Sequence, residues 1–297
     1  MREPVDRNQA WTDFWRKGGG GCLPSGSPAL YRLFEDQWAE FAVGLRAGAR
    51  VLDLATGDGI VLTWMRTARD DLDLVGVDLA DPLPPAPLGV RMIAGVAIED
   101  LPFAGGTFDA VVSQFGFEYG DLPRSALEAA RTLRAKGLAA LITHAADGPL
   151  VAHNRARASS LHWVTGDAGP LVLLRDLLDR NRIVEARQML SQARDSAKAR
   201  FGQQSPAWEI CESIIRQGAM RDGVRAPLRG FIGDLERRGL NELERLSALD
   251  EAAAAVAAPG ALKKAMATAG LRQTVTRPLV FGSGQAVVAN LSIFERC

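Results

Sequence analysis

A run of small and acidic residues, Val51-Leu-Asp-Leu-Ala-Thr-Gly-Asp-Gly59, has the residue types that could bind a small charged ligand. Small residues let the backbone come close to a ligand, and the amides at the start of a following helix point toward it. Asp78 lies about twenty residues further on, at a strand end where a carboxylate can accept hydrogen bonds from ribose hydroxyls. This spacing predicts a binding site for a cofactor that contains a nucleoside.

A second candidate for chemistry is His144, which directly follows a predicted strand. Ligands of open α/β sheets bind outside the carboxyl ends of the strands, so this imidazole could face a substrate and act as a general base. It could equally be a strand-end histidine whose hydrogen bonds are satisfied within the fold. The other two histidines, His153 and His162, lie nine residues apart on opposite sides of a predicted helix, so we predict no metal site.

The elements that would position these residues follow from the apolar pattern. From residue 49 to about 146, short apolar runs alternate with helical patterns, which is typical of a parallel sheet with crossover helices. Five strands are predicted, at residues 50–55, 72–78, 90–94, 108–115 and 138–144. Helices are predicted at 59–70 and 125–134, whereas four prolines between Asp81 and Gly89 predict an extended loop.

After His144 the alternation stops, and helices are predicted at residues 151–164, 170–200, 206–219 and 227–256. Strand patterns return at 271–281 and 285–294, and Gly282-Ser-Gly284 between them is typical of a hairpin turn. We therefore predict an α/β fold with a doubly wound, mostly parallel, seven-stranded sheet that ends in an antiparallel hairpin, with a helical insertion between strands 5 and 6. The predicted domains are an N-terminal helical extension (1–48), an α/β domain (49–149 and 258–297) and a helical cap (150–257).

Two further segments follow the glycine loop and Asp78 in order, Glu99-Asp-Leu-Pro-Phe103 and Gly106-Thr-Phe-Asp-Ala-Val-Val112. Together these segments resemble the class I S-adenosylmethionine-dependent methyltransferases, and the Ala-Thr-Gly-Asp-Gly loop is especially similar to the ubiquinone and menaquinone C-methyltransferase branch. The resemblance covers about residues 30–146 and 258–295. It implies a Rossmann-like fold, S-adenosylmethionine as the cofactor and methyl transfer as the activity. Ala97 departs from the family, since many members have an aspartate there.

The resemblance also implies roles for residues at the strand ends. Those expected beside the methionine part and the ribose are Asp53, Ala55, Thr56, Gly57, Gly59 and Asp78. Those expected beside the adenine are Leu79, Ile98 and Glu99, and those bordering the methyl group are Gln114 and Phe115. Tyr119 stands where the family contacts its substrates, so it is a candidate for positioning the acceptor, and His144 is the candidate base.

A dinucleotide site is the alternative for a glycine turn of this kind. That fingerprint requires a third small residue, Gly or Ala, three positions after Gly59, where this chain has Leu62. A leucine is too large for the close helix–strand packing of such a site. The loop therefore favours the methyl donor.

Aromatic residues before the first strand suggest two N-terminal helices. Trp11, Phe14 and Trp15 are spaced i, i+3, i+4, the glycine run 18–21 follows, and Tyr31, Phe34 and Trp38 form a second apolar group. Two interpretations remain open. Both helices could simply pack on the core, or the first could be a lid, hinged at the glycines, that places Trp15 over the cofactor and excludes water.

Composition limits the partners that we expect. The chain has 35 basic and 35 acidic residues, so nothing draws it to nucleic acid, and a small methyl acceptor, apolar or aromatic, fits better. Three unpaired cysteines, no apolar leader and no membrane-span pattern predict a soluble, cytoplasmic protein. The helical insertion could also support a homo-oligomer. Two other functions stay open: methylation of protein or RNA, and a catalytically silent cofactor-binding partner of another methyltransferase.

Overall fold

The computed structural model describes residues 7–16, 27–217, 225–282 and 286–297. Its strands are β1 (Arg50–Leu54), β2 (Asp73–Val77), β3 (Val90–Ile93), β4 (Phe108–Gln114), β5 (Leu133–His144), β6 (Leu271–Phe281) and β7 (Ala286–Arg296). Its helices are α1 (Arg7–Arg16), α2 (Pro28–Val43), α3 (Ile60–Ala68), α4 (Leu122–Thr132), α5 (Pro149–Thr165), α6 (Pro170–Asp179), α7 (Ile183–Phe201), α8 (Pro206–Arg216), α9 (Arg225–Ala257) and α10 (Ala261–Thr268). A short 3₁₀ helix spans Phe117–Tyr119.

The seven strands form one sheet in the order β3-β2-β1-β4-β5-β7-β6. Strands β1 to β5 pair in parallel, whereas β7 runs antiparallel to both β5 and β6. The predicted fold is therefore confirmed, with helices α5 to α10 between strands 5 and 6. The chain leaves β1 toward β2 on one side and later reaches β4 on the other, so a crevice opens at their carboxyl ends.

Both faces of the sheet are covered at its central strands, which explains why β1, β2 and β4 are largely apolar and buried. Val51 of β1 packs into a core with aromatic residues of α2, Phe34 and Trp38. Leu52, its neighbour on the strand, faces the opposite core with Phe108 of β4. Successive residues of a strand point to opposite faces, so β1 is anchored from both sides and the loop that follows it starts from a rigid base.

The chain divides into two compact units. The sheet unit comprises Trp11–Val151 and Leu249–Cys297, and the helical unit comprises Met1–Ala10 and Ala152–Ala248. The helical unit has a core of its own, built on fully buried side chains such as Leu190 and Ile214. Cys211 lies in that core, and burial raises the pKa of its thiol to about 12. No helix among the described residues is long and apolar enough to cross a membrane.

Two predicted boundaries are wrong. The segment 125–134 was expected to be helical, but α4 ends at Thr132 and β5 begins at Leu133, because Leu133 pairs with Phe108 across the sheet. Residues 170–200 form two helices instead of one, and Asn181 lies between them with a left-handed φ of 62°. Asparagine tolerates that conformation because its short polar side chain can bond locally.

Several expectations fall on residues outside the described ones. These are the glycine run 18–21, the end of the predicted helix at 218–219, and the tip of the hairpin at 283–285.

Candidate functional site

Asp53 lies in the buried run of β1, one residue before the strand ends, and faces a small cavity. Its side chain is buried, and its Oδ2 accepts a hydrogen bond from the Thr56 hydroxyl at 2.7 Å. Its Oδ1 is also buried but has no hydrogen-bond partner in the part of the chain that the structure describes. A buried carboxylate oxygen without a partner is costly. The site therefore offers a ready acceptor for a donor group of a ligand.

The loop after Asp53 turns sharply through left-handed conformations. Gly57 and Gly59 have φ values of 57° and 76°, and Ala55 has 55°. Glycine adopts this region without steric cost, whereas an alanine pays roughly 1–2 kcal/mol there. The loop is tied to the second strand, because the Gly57 amide donates to Asp78 Oδ2 at 2.9 Å. The two motifs recognised in the sequence thus hold each other in place.

Asp78 stabilises the loop and is also a candidate contact for the ligand. Its Oδ1 accepts from the Ala80 amide at 2.9 Å, so both oxygens are engaged by backbone amides. Burial raises the pKa of Asp78 above its ordinary value. Each oxygen has further lone pairs, so the expected contact with a ribose stays a prediction.

The cavity has a strongly acidic lining. Burial raises the pKa of Asp53 to about 8, the Thr56 hydrogen bond opposes that rise, and the charges of Asp78 and Asp58 add to it. Burial also raises the pKa of Asp58. Among the described residues that line the cavity there is no basic side chain; they are Trp15, Tyr31, Asp53, Ala55, Thr56, Gly57, Asp58, Ile60, Val61 and Gln114. An acidic cavity whose described lining has no basic side chain suits a positively charged ligand.

Gln114 is held at the end of the fourth strand by the second helix. Its Oε1 accepts a hydrogen bond from the buried indole Nε1 of Trp38 at 2.8 Å. The next residue, Phe115, adopts a left-handed φ of 55°, which turns the chain away from the strand. Gly116 follows, and a Cβ there would lie 2.5 Å from the Cβ of Ala55. The loops after β1 and β4 are therefore packed tightly together.

His144 ends the fifth strand and is buried beside Glu118. Its ring stacks on Phe115 with the centroids 4.2 Å apart and the planes inclined by 29°. Nδ1 lies 2.8 Å from Glu118 Oε1, and the backbone amide of His144 donates to the same oxygen at 3.0 Å. Tyr119 meets the imidazole edge-on at 6.5 Å. The two candidate catalytic residues, His144 and Tyr119, are thus brought together at the same edge of the sheet.

The part of helix α1 from Trp11 onward lies against three loops of that edge. Trp15 is almost fully buried, and a Cβ at Gly57 would lie only 2.4 Å from its ring. Trp11 meets Tyr119 edge-on at 5.6 Å, and the Asp81 amide donates to the Thr12 hydroxyl at 3.3 Å. Tyr119 lies after β4, and Asp81 lies in the loop after β2. The helix therefore closes over the loop that would receive the cofactor.

The residues expected beside the adenine are not among those that line this cavity. Leu79 is 46% exposed, Ile98 packs into one core, and Glu99 Oε1 accepts from the Asp121 amide at 2.8 Å. Gly59 caps the start of α3. Residues that line the cavity without having been predicted are Tyr31, Asp58, Ile60 and Val61. Asp58 stands inside the recognised loop, so its place in the motif could have indicated it.

Residues 52–141 match the family model described as "Methyltransferase domain". This match spans the glycine loop, the Asp78 strand and the strand that ends at Gln114. The chain carries a methyltransferase domain. Its glycine loop and strand order are similar to those of the class I type, whose cofactor is S-adenosylmethionine.

A curated relative is the demethylmenaquinone methyltransferase of Thermus thermophilus, which is 34% identical over 113 residues. The match covers 34% of this chain and 51% of the relative, so this chain spans about half of that protein's length. A methyltransferase from Thermotoga maritima is similar over 97% of this chain and 99% of its own, with 10% identity and a TM-score of 0.45. Geranyl diphosphate methyltransferase, solved with GPP and sinefungin, covers 88% of this chain and 77% of its own, with 16% identity and a TM-score of 0.41.

S-adenosylmethionine has a carboxylate and two positive groups, an ammonium and a sulfonium, and the described residues fit the two positive groups. The unpartnered Asp53 Oδ1 matches an ammonium donor, and the acidic lining offsets a positive sulfonium. Position 57 requires a glycine, because a side chain there would collide with Trp15.

Proposed function

We propose that this chain transfers a methyl group from S-adenosylmethionine to a small, apolar or aromatic acceptor. The observation that carries the proposal is the unpartnered, buried Asp53 Oδ1 in an acidic cavity, at the glycine loop of a methyltransferase domain. The demethylmenaquinone methyltransferase among its relatives supports a small-molecule acceptor over protein or RNA. S-adenosylmethionine would supply the methyl group.

The residues around the site suggest how the chain would assist. Methyl transfer is an in-line displacement, so orientation and the exclusion of water contribute much of the rate. Asp53 and Asp78 would orient the cofactor, and Trp15 would cover it. On the acceptor side, Tyr119 and Ala146 pack with Val151, Leu249 and Ala253 in a small apolar cluster. That cluster supports an acceptor with little charge.

Cofactor binding tests the proposal directly. In a calorimetric titration, we expect S-adenosylmethionine and S-adenosylhomocysteine to bind with micromolar Kd, about −8 kcal/mol. Gly57→Arg should abolish both, because its side chain would fill the loop and displace Trp15. Gly48→Arg is the matched control: Gly48 has a similar φ of 60°, but a Cβ there would meet nothing within 4 Å. The control pays the same backbone strain outside the site.

Normal binding by Gly57→Arg, or no binding by the unchanged protein, would contradict the proposal. The rival function, a silent cofactor-binding partner, predicts tight binding with no formation of S-adenosylhomocysteine from any small acceptor. A time course with a panel of small aromatic acceptors therefore separates the two.

Trp15→Ala tests the lid. The cavity beneath Trp15 measures about 70 Å³, whereas cofactor sites usually measure roughly 300–1,000 Å³. We therefore propose that α1 moves away from the loop to admit the cofactor. If it then closes, Trp15→Ala should speed dissociation of S-adenosylhomocysteine by about tenfold, measured by stopped-flow. The exposed Leu127→Ala serves as a control for expression and handling. Unchanged dissociation would leave α1 as a packing helix only.

A further inference from the structure

We propose that Glu118 and His144 form a proton-accepting pair, with His144 Nε2 as the base, so that the methyl acceptor is a hydroxyl compound that loses a proton on methylation. The inference rests on the proposed function. It adds a role for Glu118, a positioning residue, and it names the class of nucleophile, of which phenols are the simplest members.

The hydrogen bonds decide which ring nitrogen is available. The backbone amide of His144 can only donate, so Glu118 Oε1 is the acceptor in the 3.0 Å contact between them. The same oxygen lies 2.8 Å from Nδ1. An oxygen that already accepts one bond is best matched by a second donor, which makes the ring an Nδ1–H tautomer. Its lone pair is then on Nε2, which has no hydrogen-bond partner within the described residues.

The burial of the pair argues against a purely structural role. The side chains of His144 and Glu118 are 4% and 0% exposed. Glu118 Oε2 is buried without a hydrogen-bond partner among the described residues. A buried carboxylate is expensive unless a positive charge is near it. A neutral side chain could hold the same amide and ring at lower cost, whereas only a carboxylate stabilises an imidazolium.

The position of the Glu118–His144 pair also fits a role in methyl transfer. His144 stacks on Phe115, and the preceding residue, Gln114, lines the cofactor cavity. The imidazole also meets Tyr119 edge-on, and Tyr119 belongs to the apolar cluster proposed for the acceptor. The base thus contacts a neighbour of the cofactor cavity, Phe115, and a member of the apolar cluster, Tyr119, at the carboxyl ends of adjacent strands β4 and β5.

The proton and the electrons balance as follows. The acceptor oxygen forms a bond to the methyl carbon while the bond from that carbon to sulfur breaks, and its electron pair stays on sulfur as a neutral thioether. The hydroxyl proton moves to Nε2 of His144. The ring is then an imidazolium, whose charge the Glu118 carboxylate balances until the proton passes to solvent.

The tautomer can be observed without any turnover. In long-range ¹H–¹⁵N spectra of the labelled protein, the three imidazoles give separate patterns, and His144→Gln identifies that of His144. We expect the neutral Nδ1–H form, and we expect Glu118→Leu to raise the share of the Nε2–H form. An Nε2–H tautomer in the unchanged protein would overturn the proposal, because the lone pair would then face Glu118.

Turnover tests the chemistry with phenol and 4-nitrophenol at about pH 8, where phenol is protonated and the nitrophenol is largely ionised. A base matters only for the protonated acceptor. His144→Gln should lower kcat for phenol about 100-fold, with less than about threefold change for 4-nitrophenol and with KM nearly constant. Glu118→Gln should lower kcat for phenol about tenfold. The exposed His162→Gln is the matched control and should change neither.

Each result has one meaning. Equal losses for both phenols would show a structural role and overturn the proposal. Methylation of amines but of no phenol, with normal cofactor binding, would overturn the hydroxyl class while leaving the proposed function intact. Absence of cofactor binding in the unchanged protein would end both.

Discussion

Asp53→Asn should stabilise the cofactor-free protein at about pH 8 and weaken its binding of S-adenosylmethionine by about 100-fold. The pKa of Asp53 is raised to about 8, chiefly by burial. Ionising it therefore costs folding free energy, which asparagine avoids. The same negative charge would pair with the cationic cofactor, and asparagine cannot replace it. Ionised Asp53 therefore lowers the stability of the free protein but strengthens cofactor binding.

The pH dependence has a definite sign. An unfolded aspartate loses its proton near pH 4, whereas folded Asp53 keeps it until about pH 8. The folded state therefore binds more protons in this window, and the free energy of unfolding falls as the pH rises from about 4 to 8. Cofactor binding shows the opposite trend. Because the ionised form binds best, affinity should weaken by roughly tenfold for each pH unit below 8.

Two measurements on the same variants check both trends. Thermal unfolding should show a Tm about 5 °C or more higher for Asp53→Asn at about pH 8, with little difference at about pH 4. Calorimetry in buffers of different ionisation enthalpy should detect proton release on cofactor binding at about pH 7, absent in Asp53→Asn. The exposed Asp70→Asn is the control. Loss of both stability and affinity at every pH would show that Asp53 is a structural carboxylate.

Trp38→Ala should lower the free energy of unfolding by about 3–5 kcal/mol. Trp38 is 1% exposed, packs in the core with Phe34, and meets Phe41 edge-on with ring centroids 6.1 Å apart. Its removal leaves a large cavity in the core between α2 and the sheet. It also frees Oε1 of Gln114, which loses its 2.8 Å donor. Chemical denaturation of the purified variant measures the change.

Trp38→Phe separates packing from hydrogen bonding. It keeps most of the ring but removes the indole donor, so about 1–3 kcal/mol should be lost. If Gln114 orients the cofactor, Trp38→Phe should also weaken cofactor binding, although Trp38 itself does not line the cavity. If Trp38→Phe lowers the free energy of unfolding as expected but leaves cofactor binding unchanged, the indole of Trp38 contributes to stability and not to the cofactor site. Phe41→Leu, at a half-buried neighbour, is the control for a general loosening of α2.

The site was only partly visible in the sequence. Asp53, Gly57 and Asp78 stood out because left-handed turns and strand ends restrict residue types locally. Glu118 also follows a strand end, but nothing in the sequence indicated its contact with His144, which lies 26 positions away in the chain. Trp38 likewise reads as one residue of an apolar helix face. Its bond to Gln114 spans 76 positions.

The sequence by itself determined the order of strands and helices and the class of ligand at the first loop, because period and turn chemistry act over a few residues. Only the tertiary structure decided where β5 begins, since the pairing of Leu133 with Phe108 overrides the helical pattern of that segment. It also decided that Trp15 covers Gly57 and that Glu118 holds His144. Such contacts depend on which chain segments the sheet brings together, and no local pattern records that.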